Sequence, residues 1–96
     1  MTYRNQRLLE ALRGLPCQLC GIEDGTIVAA HSNQQIHGKG MGVKAHDCYV
    51  ASLCFKCHAQ IDQGTMYDKQ TKKEMWDLAF QRTILELWKR EMIRVA

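Results

Sequence analysis

The apolar positions of this chain fall into five short blocks separated by glycine-rich and polar punctuation. Within Tyr3–Arg13, Leu8, Leu9 and Leu12 recur at helical spacing and Gly14 follows as a natural stop, so a short helix is predicted there. Leu15-Pro16 then delivers an extended chain, because the residue before a proline avoids the α region. Thr26–Ala30 is a β-rich apolar run predicted to be a strand that ends at His31, and Tyr49–Leu53 is a second short strand candidate. Between them, residues 32–47 have no periodicity and hold Gly38, Gly40 and Gly42, which makes a loop. An unstructured stretch of about 15 residues is unusual in a small domain and is more often functional than idle. Phe55–Gln63 is predicted to be a helix stopped by Gly64.

The last block is the longest. From Lys72 to Arg94, Trp76, Phe80, Ile84, Leu87 and Trp88 share one side of a helix, and Leu78, Leu85 and Met92 widen it. Arg82, Glu86, Lys89 and Arg90 lie opposite, where Arg82–Glu86 and Glu86–Arg90 suit i,i+4 pairing. The apolar arc exceeds a single stripe, which leaves open packing on two sides or a homodimer through this C-terminal helix.

At 96 residues the chain is one small domain, residues 1–96, and such domains often need a metal, a disulfide or a partner as a staple. Its 46% hydrophobic and 24% charged residues belong to a globular chain and exclude a disordered one. No apolar run approaches the roughly 18 residues of a membrane span. The polar N-terminus has no cleavage-like site, so a cytoplasmic location with reduced thiols is expected. The net charge of +3 is spread without a dense basic stripe, compatible with nucleic-acid binding but weak as a pointer to it.

All 5 cysteines and 4 histidines fall between Cys17 and His58. Cys17/Cys20 and Cys54/Cys57 are two C-x-x-C pairs, the spacing that presents two sulfurs to one ion, and together they predict a four-thiolate structural Zn²⁺ site. Gly21, directly after the first pair, suits the positive-φ turn such a knuckle needs. Cys48 has no partner at ligand spacing and reads as a small buried apolar side chain. His58 and Asp62 stand four apart on the predicted helix, within reach of a single ion, while Cys57 points about 100° away from His58. The plainer alternative for that pair is a local hydrogen bond with Asp62 solvated. His31 at a strand end could serve as a general base or be structural, and Asp47 could be a metal ligand, an orienter of His31 or a turn residue. The run His37–Lys44 lacks P-loop spacing; its glycines and two lysines would admit a phosphate backbone closely, and the plainer alternative is a flexible solvated loop.

The order C-x-x-C, strand ending Ala30-His31, glycine-rich loop with Gly40-Met41-Gly42 and Lys44-x-x-Asp47, then Leu53-Cys54-x-x-Cys57-His58 resembles the HNH-type endonucleases. Arg13-Gly14, the Cys57-His58-x-x-Ile61-Asp62 ending and the long last helix are similar to the small prophage-encoded nucleases called YbcO-like. The resemblance implies an α+β treble-clef (ββα-metal) domain, with a zinc and metal core at 17–62 and flanking N- and C-terminal helices, the latter at 72–94. It also implies a hydrolase that cuts DNA with Mg²⁺ or another divalent metal in phage or prophage recombination or processing, with DNA and recombination proteins as partners. His31 then matches the water-activating histidine, His58 the metal-binding histidine on the helix, Asp47 the middle residue of the family name and Asp62 a further metal ligand. Arg4, Arg7, Lys39 and Lys44 are the expected phosphate contacts. The chain departs from the pattern at Ala30, where many members carry an Asp or His ligand. A second alignment makes His31 the ligand and replaces the base by Ser32, so that His37 or His46 would take the proton. The rival reading is a non-catalytic zinc module that binds nucleic acid or protein, its nuclease site decayed.

Overall fold

A computed structural model describes residues 2–96. In chain order the elements are α1 (Gln6–Leu12), β1 (Val28–His31), a 3-10 turn (Gln35–His37), β2 (Val50–Leu53), α2 (Phe55–Asp62) and α3 (Lys69–Lys89). The result is a small α+β domain in which three helices surround a two-stranded sheet. No helix among the described residues is long and apolar enough to cross a membrane.

The strands pair antiparallel, with Val28 opposite Leu53 and His31 opposite Val50. An isolated two-stranded ribbon is marginal in water, so this one must draw its stability from what covers it. All four residues of β2 are buried. Its outer edge is closed by single hydrogen bonds rather than by a third strand. Ser52 N–H donates to Thr83 Oγ1 of α3 at 3.0 Å, and Ser52 O accepts from Gln18 N–H of the cysteine knuckle at 2.9 Å. The Ser52 hydroxyl donates to Leu12 O at the end of α1, also at 3.0 Å. One residue of β2 thus holds α1, α3 and the knuckle.

Apolar packing follows the strand alternation. Ala30, Ala51 and Leu53 meet Ile27, Ile61 and Trp76 in one cluster, which also takes in Cys17 and Cys54. Val50 meets Leu12, Leu15 and Leu87 in another, with Ala29 packed against it. The Trp76 indole N–H donates to Ala30 O at 3.0 Å, fixing β1 over α3 just before His31.

The boundaries differ from the sequence reading for local reasons. α1 begins three residues after Tyr3 because Asn5 caps it, its side chain accepting from Leu8 N–H at 3.1 Å. α3 starts at Lys69 rather than Lys72, behind Asp68, whose carboxylate accepts from Thr71 N–H at 2.8 Å. It ends at Lys89 rather than Arg94. There Glu91 turns left-handed (φ 56°), and Met92 N–H and Glu91 N–H return to Leu87 O and Trp88 O, a Schellman closure made without glycine. The buried side of α3 is Trp76, Ala79, Thr83 and Leu87, so Trp88, expected on that side, is exposed. Leu78, Leu85 and Met92 are exposed with it. Cys48, expected to be buried, lies exposed in the turn before β2.

Thr83→Val keeps the shape of the side chain but leaves the buried Ser52 N–H without an acceptor. It is expected to destabilise the domain by about 1–3 kcal/mol, read as a lower denaturation midpoint at unchanged m-value.

Candidate functional site

Two constellations form, on different sides of α2. The first is the cysteine cluster. Gly21 takes φ 79° and its N–H donates to Cys17 O at 2.9 Å, while Cys17 N–H donates to Ile22 O, so the first pair sits on a closed knuckle. Cys54 is the N-cap of α2, and Cys57 N–H donates to its sulfur at 3.4 Å. The four sulfurs all lie within 4.8 Å of one another, and those of Cys20 and Cys54 are 3.7 Å apart. Tetrahedral zinc with bonds of about 2.3 Å would space its sulfurs by about 3.8 Å. Cys17, Cys20, Cys54 and Cys57 could therefore hold a structural metal ion such as zinc. Burial is the largest influence on Cys17 and pushes its thiol up, but the backbone N–H groups of Cys20, Cys54 and Leu19 outweigh it and bring the thiol down to about 7. Burial first, then the neighbouring thiols, pushes Cys57 up, and burial also raises Cys54. Four thiols this crowded cannot all ionise on their own, which is the imbalance a divalent cation removes.

The second constellation lines a cleft of about 300 Å³. His31, from the end of β1, and His58 and Asp62, from α2, meet there with Lys39 and Lys44 from the glycine-rich loop. His58 and Asp62 face each other at 2.8 Å (Nε2 to Oδ2), as the i,i+4 spacing requires. The hydrogen bond to Asp62 raises the histidine above its ordinary range, and the same bond lowers the carboxylate. Asn33 donates to the other Asp62 oxygen at 3.1 Å.

Asp47 lies behind the cleft rather than in it. Its side chain is only 3% exposed and all its acceptor capacity is directed inward. His31 Nε2–H donates to Oδ1 at 2.7 Å, Arg4 NH1 donates to the same oxygen at 3.1 Å, and Asn5 N–H donates to Oδ2 at 2.6 Å. Burial pushes this carboxyl up, but His31, Asn5 N–H and Arg4 together outweigh it and hold it below the usual carboxylate range. Of the roles open to Asp47, the geometry is that of an orienter of His31: it fixes the tautomer with Nε2 protonated and leaves Nδ1 as the nitrogen able to accept a proton.

Other sequence candidates lie elsewhere. Arg4, expected on a phosphate, spends its guanidinium on the loop, donating to Ala45 O at 2.7 Å, Lys44 O at 3.1 Å and Asp47. Arg7 is exposed on α1 and does not line the cleft. His46 Nδ1 accepts from Tyr3 N–H at 2.9 Å, and its ring fills the space beside Gly38, where a Cβ would come within 2.6 Å. His37 stacks on Tyr49 with ring centroids 4.4 Å apart and shares a hydrogen bond with Ser32 Oγ through Nδ1 at 2.6 Å. Burial lowers its proton affinity. Neither His37 nor His46 lines the cleft, so the alternative that gave one of them the proton finds no geometric support. Ala30, at the departing position, turns its side chain into the core on the α3 side. Two contributors escaped the sequence reading. Asn5 carried a visible N-cap signal before an apolar run, but Asn33 carried none, because only the fold brings it to Asp62.

Cys20→Ser and Cys57→Ser are each expected to lower bound zinc from one ion per chain and to leave a chain without a cooperative transition, since metal binding energy is folding energy in so small a domain. Metal analysis with thermal unfolding checks this. Asp47→Asn is expected to cost about 1.5–3 kcal/mol at neutral pH, the range for a hydrogen bond to a charged group. Because the native carboxylate is depressed, its contribution is complete above the unfolded value near about 4 and is lost as acid protonates it below that. The stability gap between wild type and variant should therefore narrow as pH falls. No protein-family model, no curated protein and no solved structure matches this chain, so the reading of the site rests on its own geometry.

Proposed function

We propose that the chain is a metal-dependent endonuclease that hydrolyses phosphodiester bonds in DNA, with a treble-clef (ββα-metal) site of HNH type like that of the small prophage-encoded nucleases. The observation that carries this reading is the convergence, in one cleft, of a strand-end histidine held by a buried carboxylate with a histidine–carboxylate pair on the next helix. The order of knuckle, antiparallel hairpin and helix supports the treble-clef assignment.

The donor set of the cleft fits a hard divalent ion. His58 and Asp62 offer one imidazole nitrogen and one carboxylate, and Mg²⁺ is ordinarily held by one or two carboxylates with its remaining positions left to water and phosphate oxygens. When bound, such an ion supplies Lewis-acid stabilisation of the charge that builds on the phosphate oxygens. The chain's own residues do the rest. Asp47 holds His31 so that Nδ1 is the basic nitrogen, and His31 takes a proton from a water whose oxygen forms the new bond to phosphorus. The bond from phosphorus to the 3′ oxygen breaks, and that oxygen takes its proton from solvent. Lys39 and Lys44 hold the phosphate by charge, without sequence preference. Asn33 keeps the Asp62 carboxylate turned toward the cleft.

Incubation of zinc-loaded protein with supercoiled plasmid and Mg²⁺ or Mn²⁺ tests the reading. Wild type is expected to nick the plasmid, His31→Ala to lose at least about a hundredfold in rate, the lower end of what a general base contributes, and His58→Ala to lose nicking with the ion it would hold. Nicking retained by both variants would rule out this site. A wild type that binds DNA but never nicks it would make the non-catalytic zinc module the better description.

A further inference from the structure

The nuclease reading uses the smaller of two clefts. The larger, of about 790 Å³, lies between the chain that leaves β1 and the first turns of α3. Three cations border it, Lys69, Lys72 and Lys73, over a floor that includes Ile61 and Trp76. Lys73 is paired with Asp77 at 3.0 Å, but Lys69 and Lys72 have no ion-pair partner among the described residues.

Two features suggest that these charges await an anion. α3 carries three lysines in its first five residues against one carboxylate, the capping Asp68, so cations outnumber acids at the helix end where the dipole disfavours them. A bound phosphate would relieve that repulsion. The large cleft also adjoins the small one. Asn33 lines both, and on one side of it Asp62 accepts its amide.

We propose that the large cleft is a second phosphate-binding subsite, in which Lys69, Lys72 and Lys73 hold the backbone of the same polynucleotide strand whose scissile phosphate lies between His31 and His58. The inference rests on the nuclease reading and extends it. The strand runs from Lys39 and Lys44 across Asn33 to the start of α3. Because these lysines meet phosphate by charge, they set affinity and the path of the strand, not sequence preference.

The test measures binding of zinc-loaded protein to a fluorescent DNA duplex with phosphorothioate linkages, by anisotropy across a salt series without added Mg²⁺. The key variant is Lys69→Gln/Lys72→Gln/Lys73→Gln, in which glutamine preserves helix propensity. The control, Lys89→Gln/Arg90→Gln/Arg94→Gln, removes the same formal charge at the other end of the helix and beyond it. The first variant is expected to reduce the slope of log affinity against log salt by about 2 to 3, at roughly 0.9 for each phosphate no longer neutralised. The control should leave the slope nearly unchanged. An unmoved slope in the first variant, or equal reductions in both, would overturn the second subsite while wild-type nicking kept the nuclease reading intact. A wild type that neither binds nor nicks DNA would remove both.

Discussion

Convergence of four sulfurs from two distant segments is the constraint on which this domain depends. The sheet has two strands of four residues each, too little to stand alone, and the apolar clusters on its two sides are small. Cys17 and Cys54 are themselves members of one cluster, so the sulfur site and the core are one structure. With the knuckle anchored to the start of α2, Gln18 can reach Ser52 and close the outer edge of β2. The segment from Cys17 to Ile27 is also tied to α3 by Arg82, which donates to Gln18 O at 3.2 Å, and to α2 by Phe55 N–H, which donates to Thr26 Oγ1 at 2.9 Å.

From the anchored hairpin, the cleft is built outward by polar contacts. Trp76 holds β1 at Ala30, which places His31 at the rim. Asp47 then joins three parts of the chain: the N-terminal segment through Arg4 and Asn5, the long loop that carries it, and the strand end through His31. A buried carboxylate without these partners would be costly, so the same contacts that satisfy it also fix the histidine ring. The glycine-rich loop is held at its root by His46 against Tyr3, leaving Lys39 and Lys44 to line the cleft.

α2 separates two constellations. Cys54 and Cys57 face the sulfur cluster that could hold a structural ion, while His58 and Asp62 face the open cleft as a hydrogen-bonded pair. Adjacent residues Cys57 and His58 can serve different sites because successive side chains on a helix diverge by about 100°. The second role remains a proposal, carried by the proximity of His31 and the lysines.

Much was legible in the residues themselves. Local spacing determined the two C-x-x-C pairs, the His58–Asp62 face, both strands and the stop after α2, because each depends on neighbours a few positions apart. The last helix was legible in existence but not in extent. Its end is a left-handed Glu91 with no glycine to mark it, and its core side uses Ala79 and Thr83, which hydropathy does not flag. The stretch from Ser32 to Asp47 was legible as a loop but not in its conformation, which comes from contacts with Tyr3, Arg4 and Asn5 far earlier in the chain. Only the tertiary structure could therefore bring Asp47 onto His31, set the Arg4 guanidinium against the loop, and bring Asn33 to Asp62. Sequence spacing determines which side chains share an element; which elements share a cleft depends on long-range packing and hydrogen bonds that no local pattern encodes.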